Sequence, residues 1–257
     1  MAPLKKYGAS LVCKKPISVA GELRRMLKVD NIDTNYGVVA MLRDVSFEVA
    51  QGEFVCILGP NGAGKTTTFR ALSRLLPLAG GRIELMGHDL AGLQTESLSA
   101  LGVGFVPEGR RLFAEISVRD NIRLGFEAQK AKGAFSDCLE QMLSLFPRVR
   151  DRINQRAGTL SGGEQTMVAL ARALIGAPRL VIMDEPSLGL SPKLIDEYFD
   201  TVAEINRRGT TVLLIEQNAE TALSIAHRGV ILVKGRVVAS GKASELLDND
   251  AVRHLYL

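Results

Sequence analysis

Short apolar runs separated by amphipathic segments divide this chain of 257 residues. Four early runs are rich in β-branched and aromatic residues and partly alternate with polar ones, which predicts strands at 28–35, 45–49, 54–58 and 82–85. From about 115 to 157 the apolar positions recur instead at helical spacing, with charged residues between them. The chain therefore begins with a β-rich portion and continues into a helical one.

The last third of the chain returns to strands. Apolar runs at 180–183, 211–215 and 230–233 alternate with helical stretches, a pattern typical of a parallel sheet covered by helices. Lys234-Gly235 then predicts a tight turn into a further strand at 236–239. The predicted fold class is therefore α/β.

Composition limits the kind of protein this can be. Hydrophobic residues make up 46% of the sequence, so a chain of this length can bury the core of one large domain. No run approaches the roughly 20 consecutive apolar residues of a membrane-spanning helix, and the start lacks the apolar region of a signal peptide. The three cysteines are widely spaced and form no C-x-x-C pattern, so neither a disulfide framework nor a zinc site is predicted. We expect a cytoplasmic protein.

The positive charge is concentrated at the N-terminus. Residues 1–25 carry six Lys or Arg and one Glu, a net charge of +5, whereas the whole chain carries +4. The basic character therefore belongs to a short leader and not to a surface that would bind nucleic acid. We expect a flexible leader at 1–25, for which an electrostatic tether to anionic lipid is a second interpretation, and one folded unit at 26–257.

A glycine-rich segment follows the strand predicted at 54–58. Glycines at such a turn let backbone N–H groups approach phosphate oxygens, Lys65 supplies a positive charge for the β- and γ-phosphates, and the Thr66 hydroxyl can bind Mg2+. An ordinary glycine-rich turn between a strand and a helix is the alternative interpretation. The predicted nucleoside triphosphate site comprises Gly59, Pro60, Asn61, Gly62, Ala63, Gly64, Lys65, Thr66 and Thr67.

The strand predicted at 180–183 ends in two adjacent acids, Asp184 and Glu185. Burying carboxylates costs free energy unless a cation or hydrogen bonds compensate. Asp184 can hold Mg2+ together with Thr66 and water, and Glu185 can polarise an attacking water as a general base. Two exposed acids at a strand end are the alternative interpretation.

A third motif opens the helix predicted after residue 160. Ser161 and Glu164 have the spacing of a capping box, in which each side chain bonds the backbone N–H of the other residue. A capped helix start with open glycine backbone is also an anion site. The predicted nucleotide contacts of this segment are Ser161, Gly162, Gly163, Glu164 and Gln165.

The motifs GPNGAGKTT, LSGGEQ and LVIMDEP occur in the order typical of ATP-binding cassette (ABC) ATPases, which the chain resembles over residues 26–257. This resemblance implies a P-loop NTPase (RecA-like) core with an antiparallel β subdomain and an inserted helical subdomain at about 115–170. It implies ATP and Mg2+ as cofactors, and a head-to-tail dimer in which ATP lies between one phosphate loop and the Ser161-Gly162-Gly163 segment of the other subunit. Tyr36 would stack on adenine, with packing in the core as the alternative.

Three positions depart from the usual pattern of the family. Glu108 stands in place of a glutamine that senses Mg2+, Ser191 in place of an aspartate, and Gln217 in place of a histidine. We expect Gln217 to be a catalytic residue together with Lys65 and Glu185. Its amide can donate a hydrogen bond to phosphate, but it cannot titrate near neutral pH. Glu108 can bind Mg2+, although its charge would repel phosphate. These departures indicate either a catalytic site with weakened activity or the active form of the site in one branch of the family.

The segments VPEGRRLF, AGTLSGGEQ, DEPSLGLSP and EQN favour the second interpretation, because together they resemble the second ATPase subunit of branched-chain amino acid importers. That resemblance implies a heterodimer with a different ATPase subunit, two membrane permeases and, indirectly, a periplasmic binding protein. The chain would lie at the cytoplasmic face of the inner membrane. An importer of urea or another small polar solute, a cytosolic ABC ATPase without a transport role, and a nucleotide-gated module without turnover are the alternatives.

Overall fold

The structure is a computed structural model and describes residues 25–249. The strands are β1 (Arg25–Tyr36), β2 (Val39–Ala50), β3 (Phe54–Leu58), β4 (Gly80–Leu85), β5 (His88–Asp89), β6 (Val103–Val106), β7 (Leu180–Asp184), β8 (Thr211–Glu216), β9 (Arg228–Val233) and β10 (Arg236–Lys242). The α-helices are α1 (Lys65–Leu72), α2 (Thr95–Ala100), α3 (Val118–Ala128), α4 (Phe135–Leu143), α5 (Pro147–Asp151), α6 (Gly162–Leu174), α7 (Pro192–Arg207), α8 (Ala219–Ile225) and α9 (Ala243–Leu247).

The larger sheet has the strand order β10-β9-β3-β8-β7-β6, and every pairing in it is parallel except that of β9 with β10. Every residue of β3, β7 and β8 is buried, as expected for strands that are covered on both faces. Lys234 and Gly235 join β9 to β10 with φ angles of +47° and +75°, the geometry of a tight hairpin turn. The predicted α/β class is confirmed.

The smaller sheet is antiparallel, with the order β2-β1-β4-β5. Its second strand begins at Val39, well before the predicted start at residue 45, because β1 turns back at Gly37 and pairs Tyr36 with Val39. Its inner face packs on the larger sheet in one hydrophobic cluster that includes Ile32 and Ile57. The first part of the chain thus forms a layer against the parallel core.

Strand β6 was not predicted, since it is short and a glycine interrupts its apolar run. A Cβ atom at Gly104 would lie 2.5 Å from the carbonyl oxygen of Ala173 in α6. The glycine therefore permits a close helix–strand contact that the local pattern does not reveal.

The helical portion is more divided than the apolar spacing indicated. Leu139, Met142, Leu143 and Phe146 are all buried, but α4 ends at Leu143 and Pro147 begins α5. Proline disfavours helical backbone in the residue before it, which separates the two helices at Phe146. The division of the chain into subdomains remains a prediction.

Within residues 25–249 no helix combines the length and the apolar character needed to cross a bilayer. The predicted leader lies outside the described residues except for Arg25, which begins β1.

Candidate active site

Three parallel strands bring the predicted motifs to one edge of the larger sheet. Leu58, the last residue of β3, pairs with Glu216 at the end of β8, and Asp184 at the end of β7 pairs with Ile215. Strand β8 therefore lies between β3, which leads into the phosphate loop, and β7, which ends in Asp184. The carboxyl edge of such a sheet is where open α/β folds bind ligands.

The phosphate loop requires its glycines. Gly62 and Gly64 have φ angles of +79° and +106°, which side chains rarely allow. A Cβ atom at Gly59 would lie 2.3 Å from the carbonyl oxygen of Leu232 and 2.8 Å from Cβ of Ala63. The first turn of α1 contains no acid, so its free N–H groups can face a phosphate. These observations favour a phosphate cradle over an ordinary turn.

Lys65 connects the phosphate loop to Glu185, the residue that follows β7. Its Nζ donates to the carbonyl oxygens of Gly59 at 2.7 Å and Pro60 at 3.2 Å, and it lies 3.1 Å from Oε1 of Glu185. The side chains of Lys65 and Glu185 are 4% and 13% exposed, so solvent screens this ion pair little. The structure thus places the proposed base beside the charge proposed to bind the γ-phosphate.

Glu185 has a left-handed backbone conformation with φ of +45°. Such a conformation is strained for a residue with a side chain and persists where its surroundings fix it. The Glu185 N–H donates to the carbonyl oxygen of Ile215 at 2.8 Å, which fixes it to β8. This turn directs the chain away from the sheet directly after Asp184.

The Asp184 carboxyl has the properties of an incomplete cation site. It is 1% exposed, and its Oδ1 has no hydrogen-bond partner among the described residues. Burial raises the pKa of Asp184 to about 7, with further increases from the charges of Glu185 and Glu108 and smaller opposing effects of a hydrogen bond with Thr66 and of the Lys65 charge. A buried carboxylate with one unpartnered oxygen and two other carboxylates close by is costly, so a divalent cation fits here.

The surrounding donors suit Mg2+, because carboxylate and hydroxyl oxygens are the hard ligands this ion prefers. Asp184 is the acid best placed to bind it, with Thr66 beside it and the charge of Glu108 close enough to affect its pKa. Across residues 25–249 no group of three or more His, Cys, Asp or Glu side chains is arranged to hold a metal ion. A Mg2+ ion here would therefore depend on phosphate and water oxygens as well as on protein ligands.

Gln217 and Tyr36 are exposed residues next to elements of the site. Gln217 follows β8 directly and is exposed. The Tyr36 side chain is 39% exposed, and its hydroxyl accepts a hydrogen bond of 2.9 Å from Nη1 of Arg70 in α1. An exposed ring held beside the phosphate-loop helix agrees better with a stacking surface than with packing in the core.

The Ser161–Gln165 segment forms the predicted capping box at the start of α6, with Ser161 N–H donating to Oε2 of Glu164 at 2.9 Å. Gln165 donates to the carbonyl oxygens of Ala157 and Leu160. Within residues 25–249, no hydrogen bond or ion pair joins this segment to the phosphate loop. The contact of this segment with nucleotide therefore remains a prediction.

Arginines fasten the segment after β6 to α6. Nε of Arg110 donates to Oγ1 of Thr166 at 3.2 Å, and Arg172 donates to the carbonyl oxygens of Arg110 and Arg111 at 3.0 and 2.7 Å. Arg110 and Arg111 have φ angles of +65° and +47°, so these bonds hold a strained turn. Glu108 lies in this segment, which links its position to the helix that begins at the Ser161 cap.

Sequence reasoning overlooked Glu216 and Arg110 as parts of the site. Glu216 ends an apolar strand as Asp184 does, and acids at the tips of parallel strands share one edge of a sheet. That pattern could have revealed Glu216. No local signal identifies Arg110, because its partner Thr166 is distant along the chain.

Comparison with known proteins agrees with this geometry. The family model for ABC transporters matches residues 42–188, more than half of the chain. The chain belongs to the ABC transporter family. As a member of this family it is an ATPase, so the predictions of an ABC ATP-binding subunit and of ATP hydrolysis are confirmed.

Several curated relatives span nearly the whole chain. It is 42% identical to the high-affinity branched-chain amino acid transport ATP-binding protein BraG of Pseudomonas aeruginosa, covering 90% of this chain and 99% of that protein. It is 32% identical to the probable branched-chain amino acid transport ATP-binding protein LivF of Archaeoglobus fulgidus, covering 90% and 98%. The lipopolysaccharide export system ATP-binding protein LptB of Escherichia coli K12 is 31% identical, covering 90% and 96%.

A solved structure of the ATP-binding subunit of an ABC transporter superposes with a TM-score of 0.79 at 30% identity. The match covers 90% of this chain and 98% of that one. The relatives thus share the cassette fold but belong to systems with different cargoes.

Proposed function

We propose that this chain hydrolyses ATP to drive the uptake of branched-chain amino acids. The main support for hydrolysis is the ion pair between Lys65 and Glu185 at 3.1 Å, which brings a charge suited to bind phosphate and a candidate base together at one edge of the sheet. The similarity to BraG and LivF supports the choice of cargo.

The residues of the site divide the chemistry. Lys65 and the phosphate loop hold the β- and γ-phosphates, Glu185 orients and polarises the attacking water, and the Gln217 amide donates to the γ-phosphate. Mg2+ bound through Thr66 and Asp184, with Glu108 close by, would neutralise charge that develops on the phosphates. Once a phosphate binds Lys65, Glu185 is free to accept a proton from water.

A second ATPase subunit completes each site. Ser161 is exposed, and among residues 25–249 this segment has no hydrogen bond to the phosphate loop, which supports a head-to-tail dimer. We propose a heterodimer with a different ATPase subunit that binds two permeases at the cytoplasmic face of the inner membrane, with a periplasmic binding protein delivering the cargo.

Reconstitution tests the proposal directly. The chain, its second ATPase subunit, the permeases and the binding protein in proteoliposomes should accumulate labelled leucine or isoleucine when ATP is supplied on the ATPase side. The similarity to LptB favours lipid export as the second candidate. ATP-driven extraction of lipopolysaccharide without uptake of any amino acid would contradict the importer proposal.

We expect Gln217→Ala to lower kcat by roughly tenfold or more, because one hydrogen bond to a charged group contributes about 1.5–3 kcal/mol. The parent should show no inflection of kcat near pH 6.5, since an amide does not titrate there. Gln217→His should introduce one. Steady-state phosphate release from pH 5.5 to 9 measures both effects, and an unchanged rate for Gln217→Ala would remove the amide from catalysis.

A further inference from the structure

Glu216 is a buried acid to which the catalytic steps above assign no role. The residue is 2% exposed at the end of β8. Burial raises the pKa of Glu216, and hydrogen bonds from Ser187 and from the backbone of Gln217 oppose that increase. Because a carboxyl group at this depth is unfavourable without partners, the bonds it makes must account for its position.

Those bonds join two segments of the active site. Oε1 of Glu216 accepts the backbone N–H of Ser187 at 3.1 Å, and Oε2 accepts the backbone N–H of Gln217 at 3.1 Å. Ser187 lies two residues beyond Glu185, in the loop between β7 and α7. One side chain therefore connects the loop after the proposed base to the segment that carries the proposed phosphate donor.

The same loop includes the strained residue. Glu185 is held on one side by its N–H bond to Ile215, and the next anchor along the chain is the bond from Ser187 to Glu216. Both anchors belong to β8. Removing the second would let the left-handed turn relax and the Glu185 carboxylate move away from the water it must orient.

We infer that Glu216 is a positioning residue for hydrolysis, which fixes Glu185 and Gln217 relative to each other through the backbones of Ser187 and Gln217. This inference rests on the proposed role of Glu185 as the base. Glu216 does not touch the phosphates and acts only through its neighbours.

Glu216→Gln tests the inference with little change in shape. A glutamine side chain has one oxygen and one NH2 group, so whichever way it turns, an NH2 group faces a backbone N–H and one connection is lost. We expect kcat to fall by about tenfold while KM for ATP changes by less than about twofold, because the loss affects orientation and not binding. ATP turnover is measured on the chain assembled with its permeases and second ATPase subunit.

A double-mutant cycle separates positioning from a merely structural effect. In a Glu185→Gln background the further change Glu216→Gln should lower the residual rate by clearly less than tenfold, since the part of its effect that acts through the base is already lost and only the part through Gln217 remains. Glu53→Gln is the matched control. Glu53 directly precedes β3, at the end of the strand away from the active site, and forms an ion pair with Arg228. It should lower the melting temperature and leave kcat unchanged.

The outcomes are distinguishable. Parental kcat in Glu216→Gln, or the same tenfold loss in the Glu185→Gln background, would overturn the inference while leaving the ATPase intact. Absence of an effect of Glu185→Gln would instead refute the proposed base.

If Glu216→Gln does not fold, Glu216→Asp replaces it, because the shorter side chain keeps the charge but cannot reach both N–H groups. Hydrogen exchange on the parent needs no variant. The amides of Ser187 and Gln217 should be protected, and rapid exchange of both would also overturn the inference.

Discussion

Glu185→Gln is expected to lower kcat by 10²- to 10⁴-fold, the range that general-base catalysis contributes. Glutamine keeps the shape of the side chain but cannot accept the proton from water. ATP binding should be retained, because the Lys65 ammonium keeps its bonds to the Gly59 and Pro60 carbonyls. It should even strengthen slightly, since a phosphate no longer has to replace the Glu185 carboxylate on Lys65.

Single-turnover phosphate release and equilibrium binding of labelled ATP measure the two quantities separately. If the complex contains a different second ATPase subunit, the corresponding acid of that subunit is first replaced, so that only this chain's base contributes. Glu96→Gln, an exposed acid in α2, is the control and should retain the parental rate. A variant at Glu185 that turns over ATP as fast as the parent would exclude the residue as the base.

Asp184→Asn is expected to stabilise the nucleotide-free chain at alkaline pH while abolishing Mg2+-dependent hydrolysis. The pKa of Asp184 is raised to about 7 in the folded chain from 3.8. Between these values the folded state binds a proton that the unfolded state releases, so the free energy of unfolding falls as pH rises from about 4 to 7. The full loss is on the order of 4 kcal/mol, and asparagine removes it.

Urea denaturation in the presence of a chelator at pH 5 and pH 8 measures the effect. The variant should exceed the parent in stability mainly at pH 8. Asp200→Asn, at an exposed position in α7, is the control and should change stability little at either pH. An equal difference in stability at both pH values, or a less stable variant at pH 8, would show that the buried Asp184 carboxylate does not lower the free energy of unfolding.

Much of the site could be predicted because its motifs are continuous in sequence. The glycines of the phosphate loop, the capping box of Ser161 and Glu164, and the two acids after β7 each depend on neighbouring residues and on local backbone geometry. The positions of Tyr36, Glu108 and Gln217 came instead from family resemblance. The assignment of roles to these residues remains a proposal.

Some element boundaries predicted from the sequence were wrong. For the strands, the reason is that contacts with other elements override the local sequence preference. Strand β2 extends back to Val39 because β1 provides a partner for it, and β6 forms around Gly104 because α6 packs closely there. The spacing of Leu139 to Phe146 indicated one helical face, yet Pro147 divides it into two helices.

The sequence by itself determined the kind of chemistry, since a phosphate cradle and an acid-tipped buried strand require only consecutive residues and their solvation costs. Only the tertiary structure decided which groups meet: the strand order β3-β8-β7 sets Glu216 between the two motifs, and Lys65 contacts Glu185 across more than a hundred intervening residues. The physical reason is that a contact between distant segments depends on which strands pair, and that choice is made by the whole core and not by either segment alone.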